Sequence, residues 1–261
     1  MPDAPAAAQA LRLLTLLAGQ AEPLAASRIA AGLGAARSTT YRLLGVLVDQ
    51  GFVTYLPDSR TYGLGVAAYE LGSAYSRQAP LARIARPLVR RLVDRTGENA
   101  HLAVLSGRDV LYVVEERAPG RPVLVTDVGV RLPAPLTASG LALLAALPTR
   151  QVRALFPDGG AFVANDLGPA TPTALRRLLV DVRRRGHATE DGSVTSGLSS
   201  VGHAALDHAG HPVAAVASTF VAADLAGPER LELTRAVVAA ADQLTRRLGL
   251  PSRSEPSQPT S

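Results

Sequence analysis

The sequence of 261 residues contains no cysteine, which excludes disulfide bonds, thiol nucleophiles and cysteine-ligated metal sites. It also has no apolar stretch long enough to span a bilayer. The leucine-rich run near the N-terminus is interrupted by Arg12. The first charged residue is Asp3, so the basic region that opens a secretory signal peptide is missing. We therefore expect a cytoplasmic protein with no membrane partner.

Lysine is absent as well, so all 27 basic residues are arginine, a pattern typical of a GC-rich genome. The net charge of +5 lies entirely in residues 1–95, where eleven arginines stand against six acidic residues. Residues 96–261 hold sixteen of each. This imbalance indicates an anionic partner for the first third of the chain.

The first 65 residues alternate helical and β-prone patterns. The predicted elements are helices at 10–18, 26–31 and 37–50 and strands at 52–55 and 61–64. Gly32 and Gly34 separate the second helix from the third, and a Pro57-Asp58-Ser59 turn joins the strands. This order is typical of a winged helix-turn-helix, in which the second helix of the pair enters the DNA major groove.

A hydroxyl-rich cluster, AARSTTYRLL, opens the third helix at residues 35–44. Its hydroxyls suit a helix cap, a phosphate site or a solvated turn. At the start of a recognition helix, capping and DNA contact are compatible, since neighbouring side chains point in different directions. The predicted DNA-binding residues are Arg37, Ser38, Thr39, Thr40, Tyr41 and Arg42 in this helix, with Arg60 and Tyr62 in the wing.

The rest of the chain mixes helices and strands without regular alternation. Predicted helices lie at 66–78, 81–95, 136–147, 173–185 and 227–248, and predicted strands at 100–105, 110–116, 122–128, 199–206 and 212–220. Pro87 is expected to kink or divide the second of these helices. Residues 252–261 form a low-complexity tail with the composition of a disordered segment. We predict an α+β fold with an antiparallel sheet.

In its order of motifs the chain resembles IclR-type bacterial transcriptional regulators over roughly residues 10–248. The resemblance rests on ALRLLTLLA, LAASRIAAGLGAARSTTYRLLGVLVDQGFV, TYGLG, LARIARPLVRRLVDRTGENAHLAVL, ASGLALLAALP and GLSSVGHAALDHAGHPVAAVAS. It implies a winged helix-turn-helix domain at 8–65, a helical linker that dimerises at 66–95, a GAF-like effector-binding domain at 96–250 and a disordered tail at 251–261.

The resemblance also implies a function. The chain would be a repressor, not an enzyme, and would act without a cofactor or a metal. Its partners would be a double-stranded DNA operator, further copies of itself in a homodimer or homotetramer, and a small-molecule effector such as an organic acid or a related metabolite. The predicted effector-binding residues are Ala138, Ser139 and Gly140 at the start of a helix and, by position in the family pattern, Glu190 (or Asp191), Ser200 and Thr219.

Two details of this implied pocket leave its chemistry open. The free N–H groups at the start of helix 136–147 suit a carboxylate, although Ser139 would also serve there as an ordinary cap. Glu190 would repel an anionic effector unless it were protonated or accepted a hydrogen bond from an effector hydroxyl. The chain departs from the family pattern at Gly140-Leu141 (usually Gly-Lys), at Ser193 (usually Glu) and at Ala204-Ala205 (usually Ala-Pro).

Other functions find less support in the residues. An enzyme with an accessory N-terminal domain would need a catalytic constellation, and the sequence has no G-x-S-x-G elbow. His203, His208 and His211 are close in sequence, but we interpret them as solvated residues and not as zinc ligands. GLGVAA at 63–68 lacks the βαβ context of a dinucleotide loop. A ligand-free architectural DNA-binding protein is disfavoured by the large neutral C-terminal part.

Overall fold

The computed structural model describes residues 4–20, 22–71 and 80–248, which form an N-terminal unit up to residue 79 and a C-terminal unit from residue 80. The tail predicted at 251–261 lies outside the described residues. So does the second part of the helix predicted at 66–78, of which residues 66–71 are described and are helical.

The N-terminal unit is a three-helix core with a small sheet. Its elements are α1 (Pro5–Ala18), β1 (Leu24–Ala25), α2 (Ala26–Leu33), α3 (Arg37–Asp49), β2 (Val53–Leu56) and β3 (Thr61–Leu64). The strands pair antiparallel in the order β1-β3-β2. This arrangement confirms the predicted winged helix-turn-helix.

Fully buried side chains from all three helices hold this unit together. Leu13 of α1, Ile29 of α2 and Leu44 of α3 are each at most 1% exposed. The turn between α2 and α3 requires a left-handed backbone at Gly34, whose φ is +62°. Glycine adopts that conformation without the steric cost that a Cβ adds.

The C-terminal unit is an antiparallel sheet covered on both faces by helices. Its helices are α4 (Pro80–Thr96), α5 (Ala138–Ala146), α6 (Thr149–Leu155), α7 (Pro172–Arg185) and α8 (Gly227–Leu248). Its strands are β4 (Asn99–Ser106), β5 (Asp109–Glu116), β6 (Arg131–Pro133), β7 (Ala188–Asp191), β8 (Leu198–Leu206) and β9 (Pro212–Val221), in the order β6-β5-β4-β9-β8-β7. The predicted α+β class with an antiparallel sheet is confirmed.

Alternate residues of the central strands pack in two separate hydrophobic cores, one on each face of the sheet. Leu102 of β4 and Val216 of β9 pack with α4 and α8, and both are fully buried. Ala103 and Ala215, one residue away in each strand, pack on the other face with α5 and α7. This period-two division follows from the pleat of a β-strand.

Residues 80–95, which the resemblance assigns to a linker, pack in the C-terminal unit as α4. A single helix runs through Pro87 and is not divided there. All five arginines of α4 are exposed, so most of the charge excess of residues 1–95 lies on this unit. The described N-terminal residues carry five arginines and four acidic residues. The anionic partner expected for the first third of the chain stays a prediction.

The strand predicted at 122–128 is wrong, because this segment is a loop. The edge of β5 that it would occupy is taken by β6. The side chains still alternate: Val123 is 77% exposed, whereas Leu124 and Thr126 are buried. The pattern therefore reports a segment lying over the sheet and not a strand within it.

Gly202 of β8 allows the start of α5 to lie directly on the sheet. A Cβ at Gly202 would stand 2.8 Å from the carbonyl carbon and oxygen of Ala138, closer than real Cβ contacts. The backbone at this point has no room for a side chain.

We expect Gly202→Ala to lower the free energy of unfolding by about 1–3 kcal/mol, because the new methyl group forces α5 away from β8. Urea denaturation followed by far-UV circular dichroism measures the change. Gly159→Ala is the control, since its Cβ would lie at an ordinary 3.8 Å from the Ala170 oxygen. Equal effects of the two substitutions would contradict the close contact.

Candidate functional sites: an exposed helix face and a cavity beside the sheet

The N-terminus of α3 has no side-chain cap. Its N-cap residue is Ala36, in an extended conformation, so capping by Ser38 or Thr39 is wrong. An uncapped helix start leaves backbone N–H groups free, and these groups together with the helix dipole attract anions such as phosphate.

Thr40 faces the core and is not exposed. Its side chain is 0% exposed, and its Oγ1 donates a hydrogen bond to the Ala36 carbonyl at 3.2 Å. Thr40 stands four and seven residues before the buried Leu44 and Leu47, so it belongs to the same inward stripe. The prediction that Thr40 contacts DNA is corrected, because a groove cannot reach this side chain.

The outward face of α3 carries the other members of the predicted set. Arg37, Ser38, Tyr41 and Arg42 are exposed, and Thr39 is half-buried. One turn further along the same face, Gly45 has no heavy atom within 4 Å of where its Cβ would be. Sequence reasoning missed Gly45, although its spacing of four from Tyr41 is the signal that places it on this face.

The wing presents one exposed arginine and one partly packed tyrosine. Arg60 lies in the exposed turn between β2 and β3 with a φ of 53°, which is unusual for a residue with a side chain. Tyr62 is half-buried, with its ring centroid 4.9 Å from that of Tyr55. Burial raises the pKa of Tyr62, and the nearby phenols of Tyr41 and Tyr55 add to this effect. Tyr62 therefore links wing and core.

A cavity of about 360 Å³, part of it open to solvent, lies between the sheet and the start of α5. Three predicted residues form one row across its floor: Glu190 pairs with Ser200, and Ser200 with Thr219, on neighbouring strands β7, β8 and β9. Directly paired residues of an antiparallel sheet point to the same face. The row is closed by a hydrogen bond of 2.9 Å between the Ser200 and Thr219 hydroxyls.

Of the three residues predicted at the start of α5, one lies in the cavity wall and two do not. Ala138 lines the cavity, whereas Ser139 and Gly140 are buried beside it and do not contribute to its wall. Thr137 is the N-cap, accepting a hydrogen bond from the Gly140 N–H at 2.9 Å, so capping by Ser139 is wrong. Gly140 has a packing role, because a Cβ there would collide with the backbone of Ala134.

Glu190 is the one carboxylate among the described residues that line the cavity. Its Oε1 accepts hydrogen bonds from the backbone N–H groups of Ser193 at 2.6 Å and Val194 at 3.2 Å. Burial raises the pKa of Glu190, while these two donors and the Ser200 hydroxyl partly oppose the rise. The carboxylate is held in place on one side and open to the cavity on the other.

Sequence reasoning missed the other lining residues of the wall, among them His101, Tyr112 and Thr126. His101 packs edge-on against Tyr112, with ring centroids 5.0 Å apart. Burial lowers the pKa of His101 to about 4, so the imidazole is neutral at pH 7. The strand period in AHLAVL places His101 and Leu102 on opposite faces of the sheet. No local pattern connects His101 to Glu190, 89 residues later.

Comparison with known proteins identifies the architecture. A family model for the IclR helix-turn-helix domain matches residues 6–57, and one for the bacterial transcriptional regulator IclR C-terminal matches residues 73–246. The chain belongs to the IclR family. It is a transcriptional regulator and not an enzyme, since the family models and the named relatives are those of regulators.

Relatives of this IclR-family chain span nearly its whole length. It is 32% identical over 243 residues to the glycerol operon regulatory protein of Streptomyces coelicolor, covering 92% of this chain and 95% of that protein. It is 26% identical to the transcriptional repressor IclR of Escherichia coli K12, covering 90% and 86%. The crystal structure of an IclR regulator from Alicyclobacillus acidocaldarius superposes with a TM-score of 0.80 at 25% identity, covering 95% and 100%.

The described residues of this family member offer neither a metal site nor a membrane span. No group of three histidine, aspartate or glutamate side chains is placed to hold a metal ion within the described ranges. None of the helices in the part of the chain that the structure describes is long and apolar enough to cross a membrane.

We expect His101 to make the protein less stable in acid. Its pKa falls from 6.5 in the unfolded chain to about 4 in the folded one, so between these values the unfolded state binds more protons. Stability is therefore lost as pH falls below 6.5. The loss from this group between pH 7.5 and 4.5 is about 2–3 kcal/mol.

His101→Phe keeps a ring beside Tyr112 and removes the titration. Urea denaturation at the two pH values should give a pH dependence that is shallower for the variant by about that amount. The raised pKa of Glu190 acts in the opposite direction in both proteins, so it cancels in the comparison. Parallel pH profiles would contradict a neutral, buried His101.

Proposed function

We propose that this chain is a cytoplasmic repressor that binds a double-stranded DNA operator and releases it when a small molecule occupies the C-terminal cavity. The observation that carries this proposal is the uncapped start of α3, flanked by exposed Arg37 and Arg42 in a winged helix-turn-helix. Repression is supported by relatives such as the E. coli repressor IclR.

In this proposal α3 lies in the major groove with its N-terminus toward the sugar-phosphate backbone. Its free N–H groups and Arg37 bind phosphate, and Ser38 and the exposed part of Thr39 add hydroxyl contacts. Arg42, one turn further, reads a guanine edge with two parallel hydrogen bonds. Tyr41 and the wing residues Arg60 and Tyr62 contact the backbone beside the groove.

A homodimer or homotetramer is the assembly that would bind such an operator through α3. Two copies of α3 related by a two-fold axis match the half-sites of a palindromic operator, one or more helical turns apart. Neither copy alone reads enough base pairs to select one genomic site, whereas the contacts of two half-sites add.

The effector acts by its different affinity for the DNA-bound and free forms. A ligand that binds the free form tenfold more tightly shifts the equilibrium by about 1.4 kcal/mol. Ala138, Glu190, Ser200 and Thr219 are the predicted contacts that line the cavity. An organic acid or a related metabolite is the ligand class that the resemblance implies.

Arg42→Ala is expected to weaken operator binding about 5- to 150-fold, because a bidentate guanine contact contributes about 1–3 kcal/mol. The measurement is an electrophoretic mobility shift titration on a site selected from genomic DNA by the wild-type protein. Arg12→Ala is the matched control, since it removes the same charge from the exposed face of α1.

The control should bind the site within about twofold of wild type, since a single charge outside the contact surface is largely screened. Size-exclusion chromatography checks that both variants keep the wild-type assembly state. Undiminished binding by Arg42→Ala, or equal losses in the two variants, would overturn the assignment of α3.

The sensor half of the proposal is tested with the intact protein–operator complex. Small organic acids, hydroxylated aromatics and polyols are titrated against it, and release of DNA is followed by fluorescence anisotropy. Ser200→Met, which fills the cavity beside Thr219, should bind the operator normally and stop responding to any compound that releases wild type. A response that survives this substitution would place the effector elsewhere.

A further inference from the structure

The described residues of the cavity wall include one carboxylate and no positively charged side chain. Glu190 is its carboxylate, and among the described lining residues none is an arginine, the only strongly basic residue type in the chain. His101 is neutral at pH 7. On β7 the neighbouring Asp191 pairs with Arg230 at 2.7 Å, outside the cavity wall. An anionic ligand would therefore face Glu190 without a side-chain counter-ion.

The helix dipole of α5 does not reverse this balance. The N-terminus of a helix is equivalent to about half a positive charge. Thr137 already accepts the hydrogen bond from the Gly140 N–H, so part of the donor capacity at this end is used. The first turn of α5 is thus able to bind a neutral oxygen and offsets only part of the Glu190 charge.

Two buried polar atoms of the wall have no hydrogen-bond partner among the described residues: Nδ1 of His101 and Oγ1 of Thr126. Both residues are nearly inaccessible, at 2% and 6% exposed. An unpaired polar atom at such depth is destabilising, because it has lost its hydrogen bonds to water and gained none in return. A ligand hydroxyl, which donates one hydrogen bond and accepts others, satisfies either atom.

These two groups belong to structures that hold them in place. His101 lies on the central strand β4, and Thr126 on the loop that covers the cavity. Asn99, two residues before His101, anchors that loop: its Nδ2 donates to the Pro122 carbonyl at 2.9 Å and its Oδ1 accepts from the Ala118 N–H at 2.8 Å. The imidazole and the hydroxyl are thus preorganised for a ligand.

We propose that the cavity binds a small, uncharged molecule with two or more hydroxyl groups. One hydroxyl donates to Glu190, and another pairs with the unsatisfied atoms of His101 and Thr126. This inference rests on the proposed function, in which the cavity is the effector site. It narrows the ligand class by excluding the acid of the same carbon skeleton, whose carboxylate would meet Glu190 in a medium of low dielectric constant.

Isothermal titration calorimetry of the full-length protein at pH 7.5 compares an alcohol with the acid of the same skeleton. The probes are erythritol against erythronate and 4-hydroxybenzyl alcohol against 4-hydroxybenzoate. We expect the better-fitting alcohol to bind at least about tenfold more tightly than its acid, because a site built to accept from a hydroxyl rejects a partner that leaves its polar groups unpaired or repelled.

Glu190→Gln and Asp191→Asn are a matched pair of variants that tests whether the charge of Glu190 causes the preference for the alcohol over the acid. Each removes one negative charge from β7 at constant size, but only Glu190 lines the cavity. In Glu190→Gln the preference for the alcohol over the acid should fall to within about threefold. In Asp191→Asn it should remain as in wild type, since a screened exposed charge contributes little.

Thr126→Val separates recognition from packing. The Thr126 hydroxyl has no hydrogen-bond partner in the described part of the chain, so its removal should leave the melting temperature of the unliganded protein unchanged or higher. Affinity for the alcohol should nevertheless fall about five- to tenfold. A hydroxyl with only a structural role would lower the melting temperature and leave the affinity ratio unchanged.

The outcomes are distinguishable. Tighter binding of the acids would overturn this inference and leave the sensor function standing. Equal loss of selectivity in Glu190→Gln and Asp191→Asn would overturn the role of Glu190. Binding of neither member of any pair, in a protein that binds its operator, would overturn this inference and count against the sensor function together.

Discussion

The contact between the first turn of α5 and Gly202 of β8 determines where the cavity lies and what lines it. With no side chain at Gly202, the backbone of Ala138 rests on the sheet. The helix start then stands next to the row formed by Glu190, Ser200 and Thr219. A larger residue at this one point would separate the helix from the polar row, and the cavity would lose its shape.

A similar division between an inward and an outward stripe organises α3. Thr40, Leu44 and Leu47 are buried, which orients the helix on its small core. The same rotation turns Arg37 and Arg42 to solvent. The missing cap leaves the N–H groups at the start of α3 available to phosphate. A capping side chain would stabilise the helix by roughly 1 kcal/mol, but it would compete with phosphate for the same N–H groups.

Local patterns predicted most elements from the sequence, and failed where long-range contacts decide. Helical spacing located α3, and its Thr40–Leu44–Leu47 stripe contained the signal for the burial of Thr40. Buried and exposed side chains do alternate in residues 122–128, as the sequence pattern indicates. This segment is nevertheless a loop over the cavity, because β6 occupies the edge of the sheet beside β5. Whether Thr137 or Ser139 caps α5 depends on a shift of two residues in the helix start, which propensity does not resolve.

His101 illustrates why the site itself was harder to predict than the fold. The polar row that shares the cavity with it comes from β7, β8 and β9, and no local pattern joins His101 to segments about 90–120 residues later. The same strand also connects the cavity to the opposite core. Ala100 and Leu102 alternate with His101 and pack in the cluster that contains Leu88 and Leu92 of α4.

A ligand that contacts His101 therefore acts on a strand whose other face carries α4, the first element of the C-terminal unit. Packed cores change between discrete arrangements and do not deform continuously, so a shift of β4 requires α4 to repack. Such contiguous packing is the physical condition for coupling between a cavity and a distant helix. The size of the coupling equals the difference in ligand affinity between the two arrangements.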